Sequence, residues 1–148
     1  MVITKHLSIK TNGNTQILDI TGQVQEAVKD SGLQSGIAAL FAVGSTAGLT
    51  TLEYEPGLVQ IDIKAAFERI APRNDIYAHE NTWNDDNGHS HVRAALLGPS
   101  LTVPFTDGRL TLGTWQQIVL IDFDTRPRNR TIVCQILGEN ESKKPPEL

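Results

Sequence analysis

Gly36-Ile37-Ala38-Ala39-Leu40-Phe41-Ala42-Val43 runs into Gly44-Ser45-Thr46-Ala47-Gly48 and then into Leu49-Thr50-Thr51-Leu52-Glu53-Tyr54. The first run is continuous and apolar, which reads as a buried strand. The glycines mark a bend or a place where something approaches the backbone, and the second run is again extended. Pro56-Gly57 breaks the pattern. From Leu58 to Ile70 the period changes: Val59, Ile63, Ala66, Phe67 and Ile70 share one helical face, and Pro72 closes the segment. Two strands followed by an amphipathic helix place the chain in the α+β class.

Working outward, Val2 to Thr11 alternates in strand fashion and ends at the turn signal Asn12-Gly13. Thr21 is placed to cap a second main helix, with Val24, Ala27 and Val28 at spacings of three and four and Ser31-Gly32 as the stop. Arg73 to Gly88 is polar and rich in Asn and Asp, and reads as a long loop. Ser90 to Leu97 is helix-compatible, and Gly98-Pro99 ends it. The remainder is β-rich: Leu101 to Phe105, a turn at Thr106-Asp107-Gly108, Leu110 to Leu112, Trp115 to Phe123, and Thr131 to Leu137. The three arginines of Asp124-Thr125-Arg126-Pro127-Arg128-Asn129-Arg130 could bind an anion but read first as a solvated hairpin tip.

A chain of 148 residues suits one domain with its own core. We take residues 1–139 as that compact domain, with an antiparallel or mixed sheet and two main helices, and residues 140–148 as a flexible tail. The net charge of −4, from 13 basic and 17 acidic residues spread along the chain, gives no nucleic-acid footprint. No segment approaches the roughly 20 apolar residues of a membrane span, and no secretory leader is visible, so a cytoplasmic location is expected. The lone cysteine, Cys134, sits in an apolar run and reads as a core residue.

Chemistry concentrates between Tyr77 and His91. His79, His89 and His91 lie there with Glu80, Asp85, Asp86 and Asn87. Imidazoles with a carboxylate form the usual donor set for transition metals, which makes His79, His89 and His91 candidate metal ligands for a divalent ion such as zinc. On an extended segment His89 and His91 would share a side. On a helix they would diverge by about 200 degrees, and only one would face the site. Ser45 and Thr46 could contact a phosphate, and Glu53 could act as base or ligand. Trp115 and Gln116 place an aromatic plate beside a carboxamide, although a Trp entering a strand reads first as core.

Gly44-Ser45-Thr46-Ala47-Gly48-Leu49-Thr50-Thr51-Leu52-Glu53, Tyr77-Ala78-His79, Asn87-Gly88-His89-Ser90-His91, Leu97-Gly98-Pro99-Ser100-Leu101-Thr102-Val103-Pro104 and Leu112-Gly113-Thr114-Trp115-Gln116 together resemble the YjbQ-like family. The resemblance runs from the first strand to Gly138-Glu139. It implies a compact α+β fold with antiparallel sheet, a homotrimer, and a secondary thiamine-phosphate synthase activity. That reaction joins 4-amino-5-hydroxymethyl-2-methylpyrimidine diphosphate to a thiazole phosphate and releases pyrophosphate. The resemblance assigns catalytic roles to Glu53, His79, His91 and Gln116, and ligand contacts to Ser45, Thr46, Asn87 and Trp115. Gly44 stands where many members carry a histidine, and His89 adds an imidazole nearby. Mg2+ would serve the phosphates of such a reaction, but the chain has no glycine-rich phosphate loop and no evident aspartate cluster for it. The competing expectation is a non-catalytic binder of a divalent metal or of a small anionic metabolite.

Overall fold

The computed structural model describes residues 1–140, so nearly all of the expected tail at 140–148 lies outside the described residues. Strands β1 (Val2–Thr11), β8 (Arg128–Glu139), β3 (Ser35–Val43), β5 (Ser100–Thr106) and β6 (Arg109–Leu110) form a five-stranded sheet in that order. A smaller sheet has the order β2 (Gln16–Asp19), β7 (Gln117–Asp122), β4 (Ala47–Leu52). Every pairing is antiparallel. The described residues also hold four α-helices: α1 (Thr21–Ser31), α2 (Ile63–Ile70), α3 (Ala78–Trp83) and α4 (Gly88–Leu97). Two helices were expected as the main ones, and the structure adds α3 inside the stretch read as a loop. No helix among the described residues is long and apolar enough to cross a membrane.

The layering follows from how β7 alternates. Ile118 and Leu120 face the large core between the two sheets, where Val24 and Val28 of α1, Leu40, Phe105 and Ile132 also lie. Val119, Ile121 and Phe123 face the other way, into a second core closed by Ala94 and Leu97 of α4 and by Val59, Ile63 and Phe67. Both faces of β7 are therefore buried, which is why Ile118, Val119, Leu120 and Ile121 follow one another without a polar residue. Phe67 meets Phe123 edge-on at 4.8 Å between ring centroids. The amphipathic segment read over Leu58 to Ile70 is present, but its first turn, Leu58–Asp62, is π-helical.

The apolar run that opened the argument is a strand with only one buried face. Ala38, Leu40 and Ala42 are inside, whereas Phe41 is 48% and Val43 50% exposed. The run reads as continuous because its outward face is apolar too, not because a second layer covers it within this chain. Helix α1 starts at Thr21, but Asp19 does the capping: its Oδ1 accepts from the Thr21 amide at 2.9 Å and from its hydroxyl at 2.6 Å. Gly32 ends the helix in the left-handed conformation, as read.

Candidate functional site

Helix α4 settles which histidines meet. It starts at Gly88, so His89 and His91 sit on a helix and diverge. His91 turns toward His79 of α3, with ring centroids 4.4 Å apart and planes at 52°. His89 is buried on another face of α4, 6.3 Å from the Tyr77 ring. The three histidines expected as one ligand set are thus a pair and an outlier, separated by the 100° per residue of the helix. Among the described residues no group of three His, Cys, Asp or Glu side chains is gathered closely enough to hold a metal ion. Two imidazoles fall short of the three protein ligands a catalytic zinc takes, so one chain alone does not fit that metal. Helix α3 brings His79 into place. Its Glu80 Oε1 accepts from the Gly88 amide at 2.7 Å, and Asn84 closes the helix with φ 53°. A six-residue helix rich in poor helix formers gave no periodic signal in the sequence.

Behind the histidine pair lies a buried polar network. His79 Nε2 is 2.9 Å from Asn87 Oδ1, and Asn87 Nδ2 donates to Asp124 Oδ1 at 3.4 Å. Because the Asn87 amide nitrogen is turned to a carboxylate, its oxygen must accept from His79, which assigns the proton of neutral His79 to Nε2 and the lone pair to Nδ1. Asp124 also accepts from the Thr46 hydroxyl at 3.1 Å, the Thr125 amide at 2.8 Å and Arg128 Nε at 2.9 Å. Burial pushes its pKa up, but these donors and the Arg128 charge outweigh it, so the carboxyl lies below the usual carboxylate range. Asp122 is held in parallel by a bidentate Arg130 at 2.7 and 2.8 Å and by the Thr11 hydroxyl at 2.5 Å. Arg130 reaches on to the Thr46 hydroxyl at 2.7 Å.

The arginine-rich turn is therefore only partly a solvated tip. Arg126 is exposed beside Asp85 and Asp86, but Arg130 is buried and Arg128 is tied to buried Asp124. Asp122, Asp124, Arg128 and Arg130 are the residues that sequence reasoning missed. Their signal was the alternation along β7 and β8, which points Asp122 and Arg130 inward. Gly44 lies against this network with φ 133°, and a Cβ there would come 2.8 Å from Arg130 Nη1. A side chain at position 44 would have to displace that guanidinium.

Thr46 and Asn87 serve the network as buried links, while Ser45 is exposed. Glu53, Trp115 and Gln116 are elsewhere. Along the β4–β7 ladder Ala47 faces Asp122 at the histidine end and Leu52 faces Gln117 at the other. Five residue steps put about 17 Å between those ends, at ~3.4 Å per residue. Trp115 is 73% exposed rather than core, and Gln116 bonds Thr51 and the Gly113 amide. Its strand begins only at Gln117, so the ring stands outside the sheet. Of the pair, His91 is pushed below the ordinary histidine range by burial first and by the neighbouring His79 second.

The UPF0047 protein YjbQ-like family matches over residues 5–139. The chain belongs to the YjbQ/UPF0047 family. A UPF0047 protein of Methanothermobacter thermautotrophicus is 37% identical over 138 residues, covering 93% of this chain and 94% of its own. The UPF0047 protein YugU of Bacillus subtilis is 33% identical over 135 residues, 90% of this chain and 98% of its own. Among solved structures, a YbjQ-like protein of Sulfolobus solfataricus has a TM-score of 0.83 at 33% identity, covering 94% of this chain and all of that one. A hypothetical protein of Aeropyrum pernix has a TM-score of 0.85, also at 33% identity, over 93% of this chain and 99% of that one. The YjbQ-like fold expected from the sequence is thus established over almost the whole described chain.

Proposed function

We propose that the His79–His91 pair is a proton-exchange site acting on a small phosphorylated or anionic ligand, and that the chain works as a weak transferase of the thiamine-phosphate synthase type. The observation that carries this reading is the contact between two imidazoles, one of them fixed in tautomer by Asn87 and Asp124. Paired imidazoles can protonate a departing diphosphate oxygen and recover the proton afterwards. In the transfer itself the bond from the pyrimidine methylene carbon to the diphosphate oxygen breaks with its electrons on pyrophosphate, and the thiazole nitrogen forms the new bond to that carbon. Arg128, oriented by Asp124 and 43% exposed, supplies positive charge beside the pair, and exposed Ser45 supplies a hydroxyl donor.

Glu53, Trp115 and Gln116 enter this reading through a second copy of the chain. The outward face of β3, with Ile37, Phe41 and Val43, and exposed Leu137 of β8 beside Ile37 give an apolar stripe suited to self-association as a homotrimer. A neighbouring copy could then bring its far β4–β7 end to the histidine pair. The experiment is pyrophosphate release from the pyrimidine diphosphate and thiazole phosphate, compared in wild type, His79→Gln and His91→Gln. Release that falls at least tenfold in both variants with unchanged melting temperature supports the reading. Undiminished release, or none in wild type, removes the transferase role.

A further inference from the structure

Three observations that the histidine pair does not use meet at one cavity on another side of α4. The cavity, about 340 Å³, opens between the β1–β2 turn, α2 and α4. Its wall carries Lys64, Arg73 and Arg93 against a single carboxylate, Glu68. Glu68 is already engaged, with Oε2 2.7 Å from Arg93 Nη2 and Oε1 accepting from the Arg73 amide at 3.1 Å. Lys64 has no salt-bridge partner among the described residues, so the wall is cationic on balance.

The second observation is a buried polar atom. His89 is 97% buried and lines this cavity, yet its Nδ1 has no hydrogen-bond partner among the described residues. Its other nitrogen, Nε2, lies 3.5 Å from the Ser90 hydroxyl. If that hydroxyl donates, the imidazole proton sits on Nδ1, which makes the unpartnered atom a donor. Burial first, and the charges of Arg93 and Arg73 next, push the His89 pKa down and keep the ring neutral.

The third observation is backbone strain. Gly13, Asn14 and Thr15 are consecutive residues with φ of 78°, 55° and 63°, and Thr15 is β-branched and buried. A β-branched residue is a true outlier in the left-handed region, and such outliers persist where the surroundings hold them. Here the holders are cationic: Arg93 Nη1 donates to Thr15 Oγ1 at 3.0 Å, and Arg73 Nη1 to Asn14 Oδ1 at 3.0 Å. The strained turn thus fixes two guanidinium groups at the cavity wall, each with N–H groups left over.

We propose that this cavity is a second binding site, distinct from the histidine pair, that takes a phosphate group. The inference stands independently of the proton-exchange reading, since no residue of the cavity belongs to that pair. Two anchored guanidiniums and a free ammonium form the donor set a phosphate needs, His89 lines the same cavity, and the strained turn preorganises it.

The test is titration of the full chain with inorganic phosphate, following the histidine side-chain resonances by NMR in wild type and in the Lys64→Gln, Arg73→Gln double variant. Both substituted side chains are exposed, and an unchanged circular dichroism spectrum and melting temperature check that the double variant keeps its fold. The expected result is a saturable shift of the His89 resonance in wild type that weakens at least tenfold in the double variant, while any response of His79 and His91 is the same in both proteins. No saturation up to about 10 mM, weaker than a millimolar Kd, overturns the proposal. A His89 response that survives in the double variant, or a shift confined to His79 and His91, overturns it equally; the latter would still support the proton-exchange reading.

Discussion

Arg130→Met tests whether the arginine-rich turn is a structural anchor of the site. Arg130 donates twice to Asp122, at 2.7 and 2.8 Å, and once to Thr46, at 2.7 Å; its side chain is 9% exposed and that of Asp122 is 0%. Methionine keeps much of the volume but strands the Asp122 carboxylate in the interior. Breaking one side of a buried ion pair costs roughly 3–5 kcal/mol, because the remaining charge is uncompensated. Asp122 keeps the Thr11 hydroxyl and the Asp124 amide, which argues for the lower end, about 3 kcal/mol. At roughly 2–4 °C per kcal/mol for a domain near this size, the melting temperature should fall by about 10 °C. The assay is urea unfolding followed by circular dichroism at pH 7 and one protein concentration, run as a cycle with Asp122→Asn. The double variant should lose clearly less than the sum of the singles, with a coupling of at least ~1 kcal/mol. A loss below about 1 kcal/mol in Arg130→Met, or additive effects, would refute the anchor argument.

Other expectations follow from the same geometry. Gly44→His should destabilise by about 1–3 kcal/mol in thermal unfolding, since it combines φ 133° with the approach to Arg130; unchanged stability would mean that the loop is free to move. Stability should fall as pH drops below about 6.5. His89 and His91 have folded pKa values below their unfolded ones, so the unfolded chain binds more protons in that window. Melting curves between pH 8 and 5 check this, and His89→Gln should flatten the slope. Cys134 is fully buried and its thiol is pushed up to about 11, so a thiol reagent at pH 8 should label native protein only after unfolding. Phe41→Asp should lower the sedimentation coefficient if the β3 face joins copies, and leave it unchanged if that face stays in water.

The sequence carried the strands and the longest helix because their signals are local. The β7 run, the α2 stripe and the Gly32 stop each lie within one element. What it carried poorly depends on contacts distant in the chain. Helix α3 is held by a glutamate bonded to the start of another helix, and its own residues favour a loop. Phe41 and Trp115 are apolar yet exposed, and composition alone cannot separate a core face from an outward one. At the site, the divergence of His89 and His91 was readable from helix geometry once the helix start was considered. The aspartate and arginine network was not, because a charged residue in a turn reads as solvated until the alternation of its strand is followed inward.

The most direct test of the histidine pair is NMR of protein labelled with 15N histidine. The account predicts that His79 shows the Nε2–H tautomer and that His91 titrates below the ordinary value of about 6.5. It also predicts that His79→Gln moves the His91 titration upward, by removing a neighbouring charge, and that pyrophosphate shifts both resonances in wild type. A His91 that titrates like a free imidazole, indifferent to His79→Gln and to pyrophosphate, would contradict the claim that these two side chains form one proton-exchange site.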